Sequence, residues 1–176
     1  MMTRTSPGSR AAHAVRTTTV AVLVACAAVP AAAQGTFAIR ALTPETALKA
    51  ARAALESCRA QGFQVAVAVV DRGGLPQVLL RDRFAGAHTV DVALNKAWTA
   101  ASFRTPSGEL AAATQPGQPM SGLRSLPRLL AAGGGLPIEG GGSIFGGIGV
   151  SGGPGGEADD ACARAGLKAI ADEVEF

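Results

Sequence analysis

The chain of 176 residues holds few side chains that do chemistry near neutral pH: two histidines, three cysteines and no tyrosine. His13 falls in a segment that reads as a leader, so His88 is the one histidine of the remaining chain. That excludes a zinc site built on several histidines. A Ser-His-Asp triad would have to use His88, and no G-x-S-x-G elbow occurs. One glycine motif does stand out: Gly147-Ile148-Gly149-Val150-Ser151-Gly152 satisfies G-x-G-x-x-G. A dinucleotide site needs a strand before that motif, a helix opening inside it, and an acid at the end of a following strand. Here the first four residues read as strand interior, and the 24 residues after Gly152 suffice for one helix. An anion nest at Gly152–Gly156 is opposed by Glu157, Asp159 and Asp160 in the next helical turn. Ordinary turn chemistry is the better reading.

The elements that must position these residues are organised around Gly133–Gly156, which holds 13 of the chain's 23 glycines. Ile144, Phe145, Ile148 and Val150 are strand formers with no use in a solvated linker. The stretch therefore reads as two turns, Gly133–Gly135 and Gly140–Gly142, with a strand from about Ser143 to Ser151 and a closing helix from Gly156. Leu129–Ala132 reads as the beginning of the strand before it.

Earlier in the chain, Thr43-Pro44-Glu45 is a helix start: a capping hydroxyl, a proline at the first position, and an acid at the positive end. Leu48, Ala51, Leu55 and Cys58 continue it as one apolar stripe. Val65–Val70 is an unbroken apolar run, short enough for a strand buried on both faces. Asp71-Arg72-Gly73-Gly74 then turns the chain into a second strand, Leu75–Arg81. From about Thr89 the helical period returns, with Val90, Leu94, Ala97, Trp98 and Ala101 on one face. Thr105-Pro106 starts a short helical turn, and Thr114–Pro127 is a long loop. In the closing helix the apolar line is Ala158, Ala161, Cys162, Ala165, Ile170 and Val174. This order predicts an α+β fold with an antiparallel sheet, its first and last helices sharing one face.

Residues 1–33 read as a secretory signal peptide. Arg4, Arg10 and Arg16 precede the apolar run Val20–Val29, and Ala31-Ala32-Ala33 offers cleavage before Gln34. Leu23-Val24-Ala25-Cys26 also resembles a lipobox, with Cys26 as the lipidated residue, but Thr17–Thr19 make a poor apolar region ahead of it. Cleavage after Ala33 is preferred, giving a periplasmic or secreted protein with a lead-in at 34–41 and one domain at 42–176. Three of the 16 Lys and Arg lie in that leader, leaving 13 against 13 Asp and Glu. A neutral mature chain offers no electrostatic case for nucleic-acid or membrane-surface binding. Cys58 and Cys162, on helices expected to pack together, are either a disulfide or two buried thiols.

Several segments together resemble the GlcG/HbpS family, which includes the C-terminal domain of PduO-type proteins. They are VAVVDRGGLPQVLLRDRFAG, NKAWTAASF, GGGLPI and GGIGVSGGPGGEADDACARAGL, and the likeness covers about Leu42 to Ile170. The resemblance implies a profilin-like sandwich with a five-stranded antiparallel sheet, homo-oligomers, and haem or a related tetrapyrrole as ligand. No C-x-x-C-H tract is present, so such a haem would be held non-covalently. Haem iron takes His, Met, Cys or Tyr. His88 is therefore the leading axial candidate and Met120 the second, with Arg81, Arg83, Lys96 and Arg104 as partners for propionates. The bland alternative is a solvated histidine at a helix start among wet surface arginines. A haem-degrading or cofactor-modifying enzyme is the runner-up, although no acid–base pair is recognisable. A ligand-free oligomeric interaction protein is the third reading, cued by the small, weakly charged Ala97–Ala101 helix face.

Overall fold

Thr43 is extended (φ −73°, ψ 153°), and its hydroxyl accepts the Thr46 N–H at 3.2 Å. That cap, with Pro44 behind it, starts α1 (Pro44–Ala60), which buries Ala47, Ala50, Ala51, Ala54, Leu55 and Cys58. The computed structural model describes residues 2–3 and 35–175. Apart from residues 2–3, the proposed leader, its cleavage site at Ala33 and the alternative at Cys26 lie outside them. The chain divides into Met1–Phe37 and Ala38–Phe176, and every described helix and strand belongs to the second unit.

After α1 come β1 (Ala66–Asp71) and β2 (Pro76–Arg81), then α2 (His88–Phe103) and the short α3 (Glu109–Ala113). A 3-10 turn at Ser121–Ser125 precedes β3 (Gly135–Gly140), β4 (Ser143–Ser151) and α4 (Gly156–Val174). The strands form one antiparallel sheet in the order β2-β1-β4-β3. Alternation along β1 splits the core. Val65, Val67 and Val69 join α1 and α4 on one face, while Ala66, Ala68 and Val70 meet α2 on the other. The β1–β2 turn needs Gly74: its φ is +79°, and a β-carbon there would run into the Trp98 indole.

Two expectations are corrected. The described sheet has four strands rather than five, and Leu129–Ala132 is not the start of β3. The reason lies in where that segment's backbone groups go. Leu130 N–H donates to Thr99 Oγ1 at 2.9 Å, and Ala132 O accepts Ser107 Oγ at 2.5 Å. Side chains stand where a neighbouring strand would pair. The α2 face holds in part: Ala97 and Ala101 are buried with Val90 and Leu94 packed beside them, but Ala93, Lys96 and Ala100 are also inside and Trp98 is half-buried. Glycine backbone explains this. β-carbons at Gly147 and Gly149 of β4, and at Gly135 of β3, would strike the α2 carbonyls of Ala97, Ala93 and Lys96. The helix lies so close to the sheet that mainly small residues fit between them.

On the opposite face α1 and α4 are tied at both ends. Lys49 Nζ lies 2.5 Å from Glu173 Oε1, and Thr46 Oγ1 donates to Oε2 at 2.8 Å, so Glu173 ionises below its ordinary range. Further along, the sulfurs of Cys58 and Cys162 are bonded, with Cα atoms 5.5 Å apart and a sequence separation of 104. Both residues are fully buried. Closing so long a loop constrains the unfolded chain, and losing the bridge should cost about 2–5 kcal/mol. Urea unfolding of the full chain with and without a strong reductant checks this. The reduced midpoint should fall, and coincident curves would show that the bridge contributes nothing.

Candidate functional site

The segment between β2 and α2 is held by its own backbone. Asp82 N–H donates to Val65 O at 3.0 Å and Ala85 N–H to Asp82 O at 3.1 Å. Arg81 Nη1 reaches Ala85 O at 2.9 Å, and Thr89 gives both its N–H (3.0 Å) and its hydroxyl (2.6 Å) to Gly86 O. Asp82 is buried and takes Arg59 Nε at 2.8 Å. That hydrogen bond holds the Arg59 guanidinium above its ordinary pKa. The loop thus delivers His88 to the first turn of α2 in a set position.

There the imidazole lines a groove of about 460 Å³. Gly62–Gln64 after α1, Phe84, Gly86 and Thr89, and Ser151–Gly153 with Asp159 line it with His88. Phe84 is 80% exposed, an aromatic face at the rim. A second groove, sharing Gln64 and Phe84, is lined by Arg59, Asp82 and Arg83. Arg83 therefore lines a groove that shares two residues with the His88 groove. Among the described residues no group of three or more His, Cys, Asp or Glu is arranged to hold a metal ion. His88 is the nitrogen donor this groove offers.

The other candidates are placed differently. Arg81 is exposed but holds the Ala85 carbonyl. Lys96 turns inward: its side chain is 5% exposed, and Nζ donates to Asp159 Oδ2 at 2.7 Å and Val150 O at 3.0 Å. It lies under the groove as part of the core, with its ammonium already partnered. Arg104 stands past the opposite end of α2, about 24 Å along the axis from His88, and lines a different groove with Glu139 and Ser143. Met120, 39% exposed, precedes the 3-10 turn, and no residue of Thr114–Pro127 lines the His88 groove. The chain just past that loop is fastened to the far half of α2. Arg128 stacks 5.1 Å from the Trp98 ring centroid and Thr99 accepts from Leu130 N–H.

Phe84, Gln64 and Asp159 were not foreseen as groove residues. Phe84 had a readable signal, since an aromatic four residues before the one candidate histidine is conspicuous in a chain with six Phe and one Trp. Asp159 had none, because its position depends on Lys96 across 63 residues of sequence.

Part of the lining of this groove, Gly152 and Gly153, belongs to the glycine stretch, and comparison with known proteins bears on it. A family model described as "Haem degrading protein HbpS-like" matches residues 42–168. The chain belongs to the HbpS-like family. A double-mutant HbpS from Streptomyces reticuli has a TM-score of 0.73 at 42% identity, covering 82% of this chain and 98% of that one. The PduOC:heme complex has a TM-score of 0.71 at 33% identity, covering 74% and 96%. The corrinoid adenosyltransferase PduO of Salmonella typhimurium is 36% identical over 104 residues, which span 58% of this chain but 31% of that longer protein. All three likenesses cover most of the helix-and-sheet unit of this HbpS-like chain.

The Lys96–Asp159 pair is the part of the site most exposed to mutation. Removing the ammonium alone leaves a buried carboxylate uncompensated, which typically costs about 3–5 kcal/mol. Lys96→Met should lower the urea midpoint by that order, and adding Asp159→Asn should recover part of the loss. If Lys96→Met matches the parent protein in urea, the pair contributes nothing to the fold.

Proposed function

We propose that this chain is a non-covalent binding protein for haem, held in the groove beside His88. What supports it is a single juxtaposition: an exposed histidine, an exposed aromatic face and an adjoining arginine on one preordered loop, in a family with a member solved with haem. The donor set fits the group. An imidazole is a strong axial ligand, the Phe84 ring offers a flat apolar contact, and Arg83 makes no described ion pair and is available to a propionate. When bound, haem would supply the iron and the colour. The chain supplies orientation, partial cover and charge complementarity.

Hemin titration of the full chain tests the reading. A saturable Soret shift is expected, weakened at least about tenfold in His88→Ala. No saturable change would overturn haem binding, whereas an unaffected His88→Ala would remove His88 alone. The family description favours a second reading, degradation of bound haem. It requires bound haem to lose its Soret band faster than free haem when a reductant is added. Self-association into a homo-oligomer belongs to the same proposal, with the exposed apolar Leu75 and Leu79 of the edge strand segment available for contact.

Export is the accompanying proposal. A positive, then apolar, then small-residue leader suits secretion, and a buried disulfide suits an oxidising compartment. No described helix is long and apolar enough to cross a membrane. N-terminal sequencing of the protein recovered from expressing cells should begin at Gln34. A lipidated terminus at Cys26, or an intact Met1, would each overturn cleavage at Ala33.

A further inference from the structure

We propose that Gly86 is the seat of the His88 imidazole and a positioning residue for it, an inference that rests on the haem reading above. The observation is steric. A β-carbon at Gly86 would lie 2.8 Å from Cε1 and 2.9 Å from Nδ1 of His88, closer than real β-carbons approach ring atoms, and 3.8 Å from Nε2. The Nδ1–Cε1 edge of the imidazole thus occupies the space a side chain at 86 would take, and Nε2 is the nitrogen farther from that space. Gly86 and His88 line the same groove. The seat itself is fixed, because the Gly86 carbonyl receives both the N–H and the hydroxyl of the buried Thr89.

This assigns ligation to Nε2 and makes glycine at 86 a requirement of ring orientation rather than of backbone conformation. Gly86 is not among the positive-φ glycines, so alanine is compatible with the chain's path there. What alanine cannot do is share the space with the ring. The clash must be relieved by swinging His88 off its seat, since the Gly86 backbone is tied to Thr89. Groups that orient a metal ligand typically change metal affinity by about 10–100-fold when removed.

The test compares the full chain, Gly86→Ala, His88→Ala, and Gly122→Ala as a control in which the added methyl meets open space. In the metal-free proteins the His88 ring Cε1–H resonance, assigned by its loss in His88→Ala, should move in Gly86→Ala and stay fixed in Gly122→Ala. On hemin titration Gly86→Ala should bind about tenfold more weakly than the parent, with an altered Soret maximum. An unmoved ring resonance overturns the seat. A moved resonance with parental affinity and spectrum overturns the positioning role. If the parent shows no saturable hemin spectrum, the haem reading fails instead, and the metal-free resonance still decides where the ring sits. Parental urea midpoints for Gly86→Ala would separate a displaced ligand from a damaged fold.

Discussion

The structure depends on how closely α2 lies on the sheet. Where most helix–sheet contacts are spaced by side chains, here the Gly147, Gly149 and Gly135 α-carbons face carbonyls of α2 directly. Ordering glycine in a strand is unfavourable by roughly 0.5–1 kcal/mol relative to alanine at each position. The contact offsets that through dense packing against Ala93, Ala97 and Ala101. It has a second consequence. With the helix axis drawn in, the four-carbon stem of Lys96 is long enough to carry its ammonium to the Val150 carbonyl and the Asp159 carboxylate. A buried ion pair adds little net stability over an apolar isostere. Its effect here is to join α2, the end of β4 and the first turn of α4 at one point.

That point explains why the glycine stretch is not an anion site despite its motif. The helix opens at Gly156, beyond Gly147–Gly152, and Gly152 (φ +129°) turns the chain back against Gln64. Acids of α4 also bond glycine amides at both ends of the stretch. Gly153 N–H donates to Asp159 Oδ1 at 2.9 Å, and Gly134 N–H to Asp160 Oδ1 at 2.6 Å. The two carboxylates at the start of α4 satisfy the donors and the positive helix end from within the chain.

How much of this was legible in the sequence follows from the range of the forces involved. The Thr43 cap, the β1–β2 turn and the bounds of β4 are set by neighbours in sequence, and they read correctly. The core face of α2 read in part: Val90, Leu94, Ala97 and Ala101 do pack there, but hydrophobicity ranks Trp98 above Ala93 while the fold ranks by size. Leu129–Ala132 looked like a strand because its side chains are apolar. Nothing local showed that Thr99 and Ser107 would take its backbone groups. Lys96 read as a surface cation for the same reason: its partner is Asp159, in another element. His88 was singled out by elimination among residue types, but its groove could not be drawn, since three segments far apart in the chain form it.

The groove gains its definition from rigidity in segments that sequence patterns would leave as loops. A ligand that binds a mobile loop must order it first, at a cost of about 0.5–1.5 kcal/mol for each side chain immobilised. Here the Arg81, Thr89 and Arg59–Asp82 contacts have already ordered the chain from Asp82 to His88 within the fold itself. Two of the loop's cationic neighbours, Arg59 and Arg81, are therefore better understood as struts than as ligand contacts. Arg83 is exposed, outside this bonding, and lines the groove beside Phe84. The groove thus separates two kinds of group: buried and partnered ones fix the frame, and a few are left facing solvent.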